Sequence, residues 1–487
     1  MTEFFDFING KWVSSESSEK FQVVNPADTS KLVGTFQLST REDTRKAIAA
    51  AKDAFPKWRQ TSPIERGKIL YAASNLLEAE IQELASILTQ EEGKTFTESL
   101  GEVQRAVDIF RFYAGLGSRL DGRTIQSAQK RTLLYSMREP VGVVALMSPW
   151  NFPIAIPSWK MAPALISGNT VVFKPASLTP LIAQRLVSAL ERAKLPQGVL
   201  NFVTGSGSIV GDELVTNPDV DAISFTGSYD VGSGIYRSRA NLKKMTRVQL
   251  EMGGKNPTII LPDAKLDEAA NIVARSGFGL TGQACTATSR AIVLESIKDR
   301  FVQKLCELAN NTRIGNGLNQ ETQMGPAVSK SELEKDFNYV EIGKKEGAKL
   351  SAGGKSPVAT SDELRQGNFI EPTVLDGVTP DMRIAQEEIF GPVISVLSAK
   401  NLDEAIELAN NTEYGLTAGL CTSNLSSALE FADRVEAGVV KINKMTTGLE
   451  LQAPFGGFKK SSTNSFKEQG VEAIDFYTRI KTVYVGY

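Results

Sequence analysis

A chain with three cysteines and no histidine has few ways to build a nucleophilic site. Cys285 lies in GLTGQACTATSRA (279–291), among small, weakly polar residues after a glycine-rich approach. Gly282, Gln283, Ala284 and Thr286 leave room for a ligand beside the sulfur, whereas Cys306 in FVQKLCELAN and Cys421 in a strand-like run fit small buried hydrophobes. A thiol so placed is a candidate for covalent catalysis, although a free thiol is only a few per cent thiolate at neutral pH. Without imidazole, His-based triads and His-ligated metals are excluded, and any general base is Glu, Asp, Lys or Tyr. Glu251 in QLEMGGKNP stands at a strand end before two glycines, where a carboxylate serves either as a base or as a cap. Asn151 in SPWNFP is a neutral amide between aromatics, suited to an oxyanion or simply to a turn.

A second group of residues suits phosphate. FTGSYDVG ends a predicted strand and opens a helix around Gly227 and Ser228, and TGSGSIVG (Gly205, Gly207, Gly211) also follows a strand. Bare amides at a helix start favour a phosphate, yet neither segment matches GxGxxG, and tight turns alone would account for both. In VVFKPASLTP, Lys174 ends a strand where it can meet a ribose hydroxyl or a phosphate, or stay solvated beside a helix cap. NAD-selective sites place an acid near the ribose 2′-hydroxyl; Ser177 is neutral, so nothing here repels a 2′-phosphate.

These residues need a scaffold that collects strand ends. From Val141 onward five short apolar runs recur, VGVVALM (141–147), TVVF (170–173), VLNFV (199–203), DAISF (221–225) and RVQLE (247–251). Helical stretches separate the first four, so the fold class is α/β with a parallel sheet, and ligands bind beyond the strands' carboxyl ends. A second α/β series follows, with strands in PTIILPDA, RAIVLESI, PVISVLS and GVVKIN and helices in LDEAANIVARSG, IKDRFVQKLCELANNT, LDEAIELANN and LSSALEFADRVEAG. Before both, the first ~120 residues read as mostly helical after a short opening hairpin, with a helix start at Ser62–Pro63. The tail DFYTRIKTVYVGY alternates and reads as an end strand completing a partner's sheet.

At 487 residues the chain needs two or three domains. A net charge of −2 with both signs dispersed gives no reason to expect nucleic acid or an anionic membrane as partner. No apolar run approaches the roughly 20 residues of a membrane span, and the first residues lack a basic, apolar leader. Cysteines without CxxC spacing argue against disulfides and zinc and fit a reducing, cytoplasmic setting.

In order and spacing, PWNFP, KPASLTP, FTGS, LEMGGKNP, GQAC, EEIFGP and PFGG resemble the aldehyde dehydrogenase superfamily, over essentially the whole chain. The resemblance implies a three-domain architecture with a variant Rossmann cofactor domain (1–120 and 142–253), a catalytic domain (254–455) and a β bridging, oligomerising element (121–141 and 456–487). It implies that Cys285 attacks an aldehyde, that Asn151 and the Cys285 amide stabilise the alkoxide, and that hydride transfer to a nicotinamide leaves a thioester. Glu251 would then activate the water that hydrolyses it. It places Ser148, Pro149, Trp150, Lys174, Ser177, Gly211, Phe225, Gly227, Ser228, Glu388 and Phe390 at the coenzyme, and Lys160 in the same region. Phe152, Trp159 and Phe455 would wall an aldehyde tunnel.

Ser177 stands where NAD-preferring relatives carry Glu, so NADP is the expected coenzyme, with NAD as a second. The tail resembles members that oxidise α-ketoglutarate semialdehyde (2,5-dioxopentanoate) in sugar-acid catabolism. Arg111, Lys444, Thr446 and Thr447 are candidates for its carboxylate by position only; IPSWK and GFGLTGQAC lack the arginines of some succinate semialdehyde enzymes, which weakens that substrate. Succinate semialdehyde and glyceraldehyde or its 3-phosphate are the alternative substrates. A CoA-acylating enzyme and a non-catalytic relative are the alternatives of other classes. A homo-oligomer, dimer or tetramer, is expected.

Overall fold

The computed structural model describes residues 3–358 and 362–487. Its centre is two seven-stranded sheets. In the first, the strands Arg247–Glu251, Ala222–Thr226, Val143–Met147, Thr170–Lys174 and Leu200–Phe202 lie side by side, all parallel. Four of the five are buried at every position and the fifth at all but its first residue, as parallel strands covered on both faces must be. The opening hairpin Asp6–Ile8/Lys11–Val13 closes one edge, pairing antiparallel through Phe7 and Phe202. A second hairpin, Lys20–Asn25/Asp28–Gln37, was not expected.

Four helices follow it: Arg41–Gln60, Pro63–Ala79, Ile81–Glu92 and Phe96–Leu116. Their starts are written locally. Thr40 and Thr95 form capping boxes with Asp43 and Glu98, and the Ser62 hydroxyl accepts from the Glu65 amide with Pro63 at the first helical position. Between this layer and the first sheet runs Ala155–Ile166, buried along its whole length, which carries Trp159 and Lys160 into the interior.

The second sheet has the order Lys349–Ala352, Thr373–Asp376, Val393–Ala399, Thr288–Leu294, Asn256–Ile260, Thr417–Cys421 and Val439–Ile442. All are parallel except the first. Its helices Leu266–Phe278, Lys298–Asn310, Leu402–Asn410 and Leu425–Arg434 lie where periodicity places them, and Lys330–Glu346 is an addition.

The tail differs from expectation at its start. Ala473–Tyr477 is a turn of helix, and only Thr478–Gly486 is extended. That strand pairs with Thr132–Pro140 of its own chain, which pairs in turn with Arg123–Ile125. Among the described residues no helix is long and apolar enough to cross a membrane.

Candidate active site

The loop between Leu266–Phe278 and Thr288–Leu294 presents Cys285. Three consecutive residues, Leu280, Thr281 and Gly282, take left-handed backbone angles (φ 54°, 55° and 67°). Only glycine does this without strain, so the first two cost about 1–3 kcal/mol each and must be held. They are held by other segments. Glu98 accepts from the Leu280 amide at 2.8 Å, the Thr281 hydroxyl donates to the Gly325 carbonyl, and the Val328 amide donates to the Gln283 side chain. Gly282 packs directly on the Gly391 peptide, where a Cβ would collide.

The Cys285 peptide itself is fixed by Asn256, whose amide donates to the carbonyls of Cys285 and Ala287, 2.8 Å each. Asn256 is a residue sequence reasoning missed. Its one signal is an uncompensated amide at the head of an apolar strand, one residue after the glycine pair of LEMGGKNP.

Cys285 opens onto a cavity of about 760 Å³ shared with Phe152, Trp159, Phe455 and Thr447. Arg111, expected there, lies elsewhere; its guanidinium pairs with Glu78 on the outer face of the helical layer. Of the other cations and hydroxyls considered, Lys444 is exposed and Thr446 is buried against Ser276 and Thr288. Burial pushes the Cys285 thiol well up, with the Glu388 and Glu251 carboxylates adding to it and its own amide opposing.

Asn151 is buried beside the Cys285 loop. Its side-chain amide donates one hydrogen to the Gln283 carbonyl at 2.8 Å, leaving the second hydrogen available, and its Oδ1 has no partner. The segment carrying it is anchored by a buried ion pair. Lys94 donates to the Asn151 carbonyl and to Glu102, and Glu102 accepts from the amides of Ile154 and Ala155.

Glu251 ends its strand fully buried. One carboxylate oxygen accepts from the Gly457 amide at 3.4 Å, and the other is unpaired against Gly456, where a Cβ would sit 2.8 Å from it. Burial raises its pKa well above the carboxylate range, Glu468 raises it further, and Lys160 and Lys467 oppose. Glu468 is the second residue missed. It pairs with Lys160 and accepts from the Trp159 indole at 2.7 Å. Lys160, which also donates to Ser224, therefore sits behind the carboxylate rather than at a coenzyme. Gly456, Gly457 and Glu468 thus pack around the Glu251 carboxylate, and the tail's separate sheet begins only at Thr478.

The expected coenzyme residues gather at the carboxyl end of the first sheet. Ser148 follows the strand ending at Met147 and donates its amide to the Lys174 carbonyl. Lys174 is buried, its ammonium donating only to the Pro175 carbonyl, and burial pulls its pKa down to about 8. Ser177 is exposed and donates to the Gly205 carbonyl. Gly211 faces the Lys174 stem, with a Cβ there 4.0 Å from Cδ. Phe225 packs under Gly227, and Ser228 caps the twelve-residue helix Tyr229–Ala240.

From the other side Glu388 accepts from the Gly254 amide at 2.9 Å, with burial pushing its pKa up to about 7. Phe390, in a left-handed conformation (φ 65°), meets Trp150 edge-on at 5.2 Å, beside Pro149. The buried hydroxyls of Ser148 and Thr226 have no partner in the protein. An uncompensated ammonium, two free hydroxyls and a capped helix start fit a dinucleotide laid across this end of the sheet. No cluster among the described residues could hold a metal ion.

Known proteins bear on this geometry. The sequence model of the aldehyde dehydrogenase family matches residues 12–483. An α-ketoglutarate semialdehyde dehydrogenase of Haloferax volcanii is 50% identical over 482 residues, covering 99% of each chain. A 2,5-dioxopentanoate dehydrogenase of Saccharolobus solfataricus is 48% identical over 477 residues, covering 98% of each. A crystal structure of betaine aldehyde dehydrogenase from Staphylococcus aureus in complex with NAD+ superposes with a TM-score of 0.96 at 36% identity, covering 99% of this chain and 94% of that one.

Proposed function

The chain belongs to the aldehyde dehydrogenase family, and from that premise we propose that it oxidises α-ketoglutarate semialdehyde to the dicarboxylate with NADP as preferred coenzyme. That it is an NAD(P)-dependent oxidoreductase acting on an aldehyde follows from the family itself. The observation that carries the substrate is the full-length likeness, near 50% identity, to two enzymes named for that semialdehyde.

Each step has a residue. Cys285 attacks the aldehyde carbon and forms a thiohemiacetal. The free hydrogen of the buried Asn151 amide and the Cys285 backbone N–H would hold its oxyanion. A nicotinamide coenzyme, which Ser148, Lys174, Ser228 and Glu388 would hold, would supply the hydride acceptor needed to take this adduct to a thioester. Glu251 takes a proton from the attacking water, which requires its carboxylate to turn from Gly456 toward the cavity. Glu468 and Lys160, packed behind it, provide a buried acceptor and donor through which that proton can leave.

Ser177 supports NADP because it is neutral, exposed and close to Lys174 on the Gly205 side of the cleft. Residues 1–120 and 142–253 are assigned to coenzyme binding and 254–455, extended by 456–472, to catalysis. The three-stranded sheet exposes Ile125, Leu133, Met137, Ile480, Tyr484 and Val485, apolar area suited to a second copy in a dimer or tetramer.

A substrate panel with either coenzyme tests the reading. The highest kcat/KM is expected for α-ketoglutarate semialdehyde with NADP, above succinate semialdehyde, glyceraldehyde 3-phosphate and pentanal. Product should be released to water and not to coenzyme A. Ser177→Glu should shift the kcat/KM ratio toward NAD by at least about tenfold, since it sets a carboxylate against the 2′-phosphate. A wild type that strongly prefers NAD would overturn the coenzyme assignment.

A further inference from the structure

The cavity that receives Cys285 is lined by four charged side chains, and they are not equivalent. Two are carboxylates already engaged: Glu98 accepts from Thr95 and Leu280, and Glu102 from Lys94, Ile154 and Ala155. The other two are arginines without a carboxylate partner. Arg105, on the helix Phe96–Leu116, is half-buried, with its guanidinium 5.9 Å from the Trp159 ring centre. It donates only to neutral acceptors, the Leu449 carbonyl and the Gln469 side chain, the latter at 2.6 Å. Arg275, in the last turn of Leu266–Phe278, is exposed at the rim and makes no ion pair among the described residues.

Glu450, Asp108 and Glu102 act on the Arg105 charge through space without an ion pair in contact, and a guanidinium drawn out of water toward a tunnel on those terms is costly unless a closer anion arrives. Its planar fork matches a carboxylate, and the two acceptors already fix its plane. We propose that Arg105 binds the terminal carboxylate of the semialdehyde and that Arg275 draws that carboxylate in at the mouth. This subsite rests on the semialdehyde reading and names the residues that would enforce it. Arg111, the candidate by sequence position, is six residues further along the same helix and pairs with Glu78. The walls nearer the thiol, Phe152 and Phe455, leave the carbon chain apolar, so one charged end and one reactive end define the substrate.

The test measures kcat/KM for α-ketoglutarate semialdehyde and for pentanal, which has the same chain length without the carboxylate. Arg105→Gln should lower the first roughly 10- to 100-fold, the range for a lost hydrogen bond to a charged group, and leave pentanal within about threefold. Arg105→Lys should recover part of the loss, because it restores charge without the fork. Arg275→Ala should cost only about threefold, mostly in KM, and that cost should vanish at high salt. An equal fall on both aldehydes would make Arg105 merely structural, and no fall on either would remove it from the subsite; both overturn the proposal.

The second arm reads binding without turnover of the semialdehyde: inhibition by α-ketoglutarate, competitive with pentanal. The wild-type constant should be at least tenfold tighter than that of Arg105→Gln. A wild type indifferent between the two aldehydes would refute the substrate reading alone, because this inhibition arm still decides the subsite. Equal inhibition of both proteins would overturn the subsite alone.

Discussion

On the second sheet's side of the cleft, the Cys285 loop is tied down by Glu98, Asn151, Asn256, Gly325 and Val328. On the first sheet's side, Ser148 Oγ, Thr226 Oγ1, Asn151 Oδ1 and Glu251 Oε1 are buried without partners. Buried polar atoms are almost always paired; the second sheet's side has orphans too, Lys255 Nζ and Ser289 Oγ, but none within the strained turn Leu280–Gly282 or at Cys285, whereas the four on the first sheet's side fit atoms supplied by ligand and water. The paired wall holds a nucleophile in a strained loop at fixed position. The unpaired wall keeps its hydrogen-bonding capacity free until coenzyme, aldehyde and water arrive. Effects of mutation should divide the same way, between positions that set geometry and positions that exchange partners during turnover.

The largest effect falls on the fixed wall. Cys285→Ala should reduce aldehyde oxidation at least about 1,000-fold, since no other thiol reaches the cavity, and leave thermal stability nearly unchanged because the side chain makes no hydrogen bond there. A variant that kept wild-type kcat would break the assignment. Glu251→Gln comes next. Loss of a general base costs about 10²- to 10⁴-fold. The loss should appear only after the first turnover: a burst of reduced coenzyme equal to the active sites, then a slow steady state. In the wild type the base works only when ionised, and burial and Glu468 hold its pKa high. Deacylation should therefore fall on the acid side at a pH well above the usual carboxylate range. An ordinary acid limb would break the link between that buried carboxylate and hydrolysis.

Asn256→Ala separates the walls in a different way. It leaves the carbonyls of Cys285 and Ala287 without donors, at about 1–3 kcal/mol per unsatisfied group, and frees the loop. Expected are a lowered Tm and a kcat/KM reduced about 10- to 100-fold, both measurable on the same preparation. A loss of stability with unchanged kcat/KM would show that the strained loop keeps its shape without Asn256.

How far the sequence carried this picture depends on distance along the chain. The parallel strands were legible because each is a short apolar run between helical stretches, and the Cys285 loop because a thiol there stands in unusually small company. The hairpin Lys20–Asn25/Asp28–Gln37 escaped because its second strand exposes four residues in a row, Thr29 to Leu32, and so carries no alternation to match that of the first. Lys330–Glu346 escaped because it buries only Asp336, Val340 and Gly343. Glu468 and Arg105 escaped for another reason. Their roles come from Trp159, Lys160, Leu449 and Gln469, partners brought together by the tertiary fold and not by any local spacing. Leu280 and Thr281 carry no mark of their left-handed backbone, since neither is glycine and the cause lies in Glu98 and Gly325.

The smallest effect sharpens the comparison because it needs no mutation. Glu388 belongs to the paired side through the Gly254 amide, yet its second oxygen faces the coenzyme cleft beside Gly253. To accept from a ribose hydroxyl it must be ionised, and burial holds its pKa at about 7 in the free protein. Hydrogen bonds from coenzyme would favour the carboxylate, so binding should release part of a proton near neutrality and weaken as pH falls through that value. With a pKa near 7, the ionised fraction falls about tenfold between pH 8 and pH 6, and the coenzyme Kd should rise by about that factor. Titration of Cys285→Ala with NADP at several pH values isolates this effect from chemistry. Glu388→Gln should remove the weakening on the acid side, leaving only about a twofold change of opposite sign from Lys174, whose pKa is about 8, and should weaken binding only about threefold at pH 6, where the wild type is already mostly protonated. A Kd flat from pH 6 to 8 in the parent would mean that Glu388 serves only to fix Gly254, and would place it wholly with the wall that sets geometry.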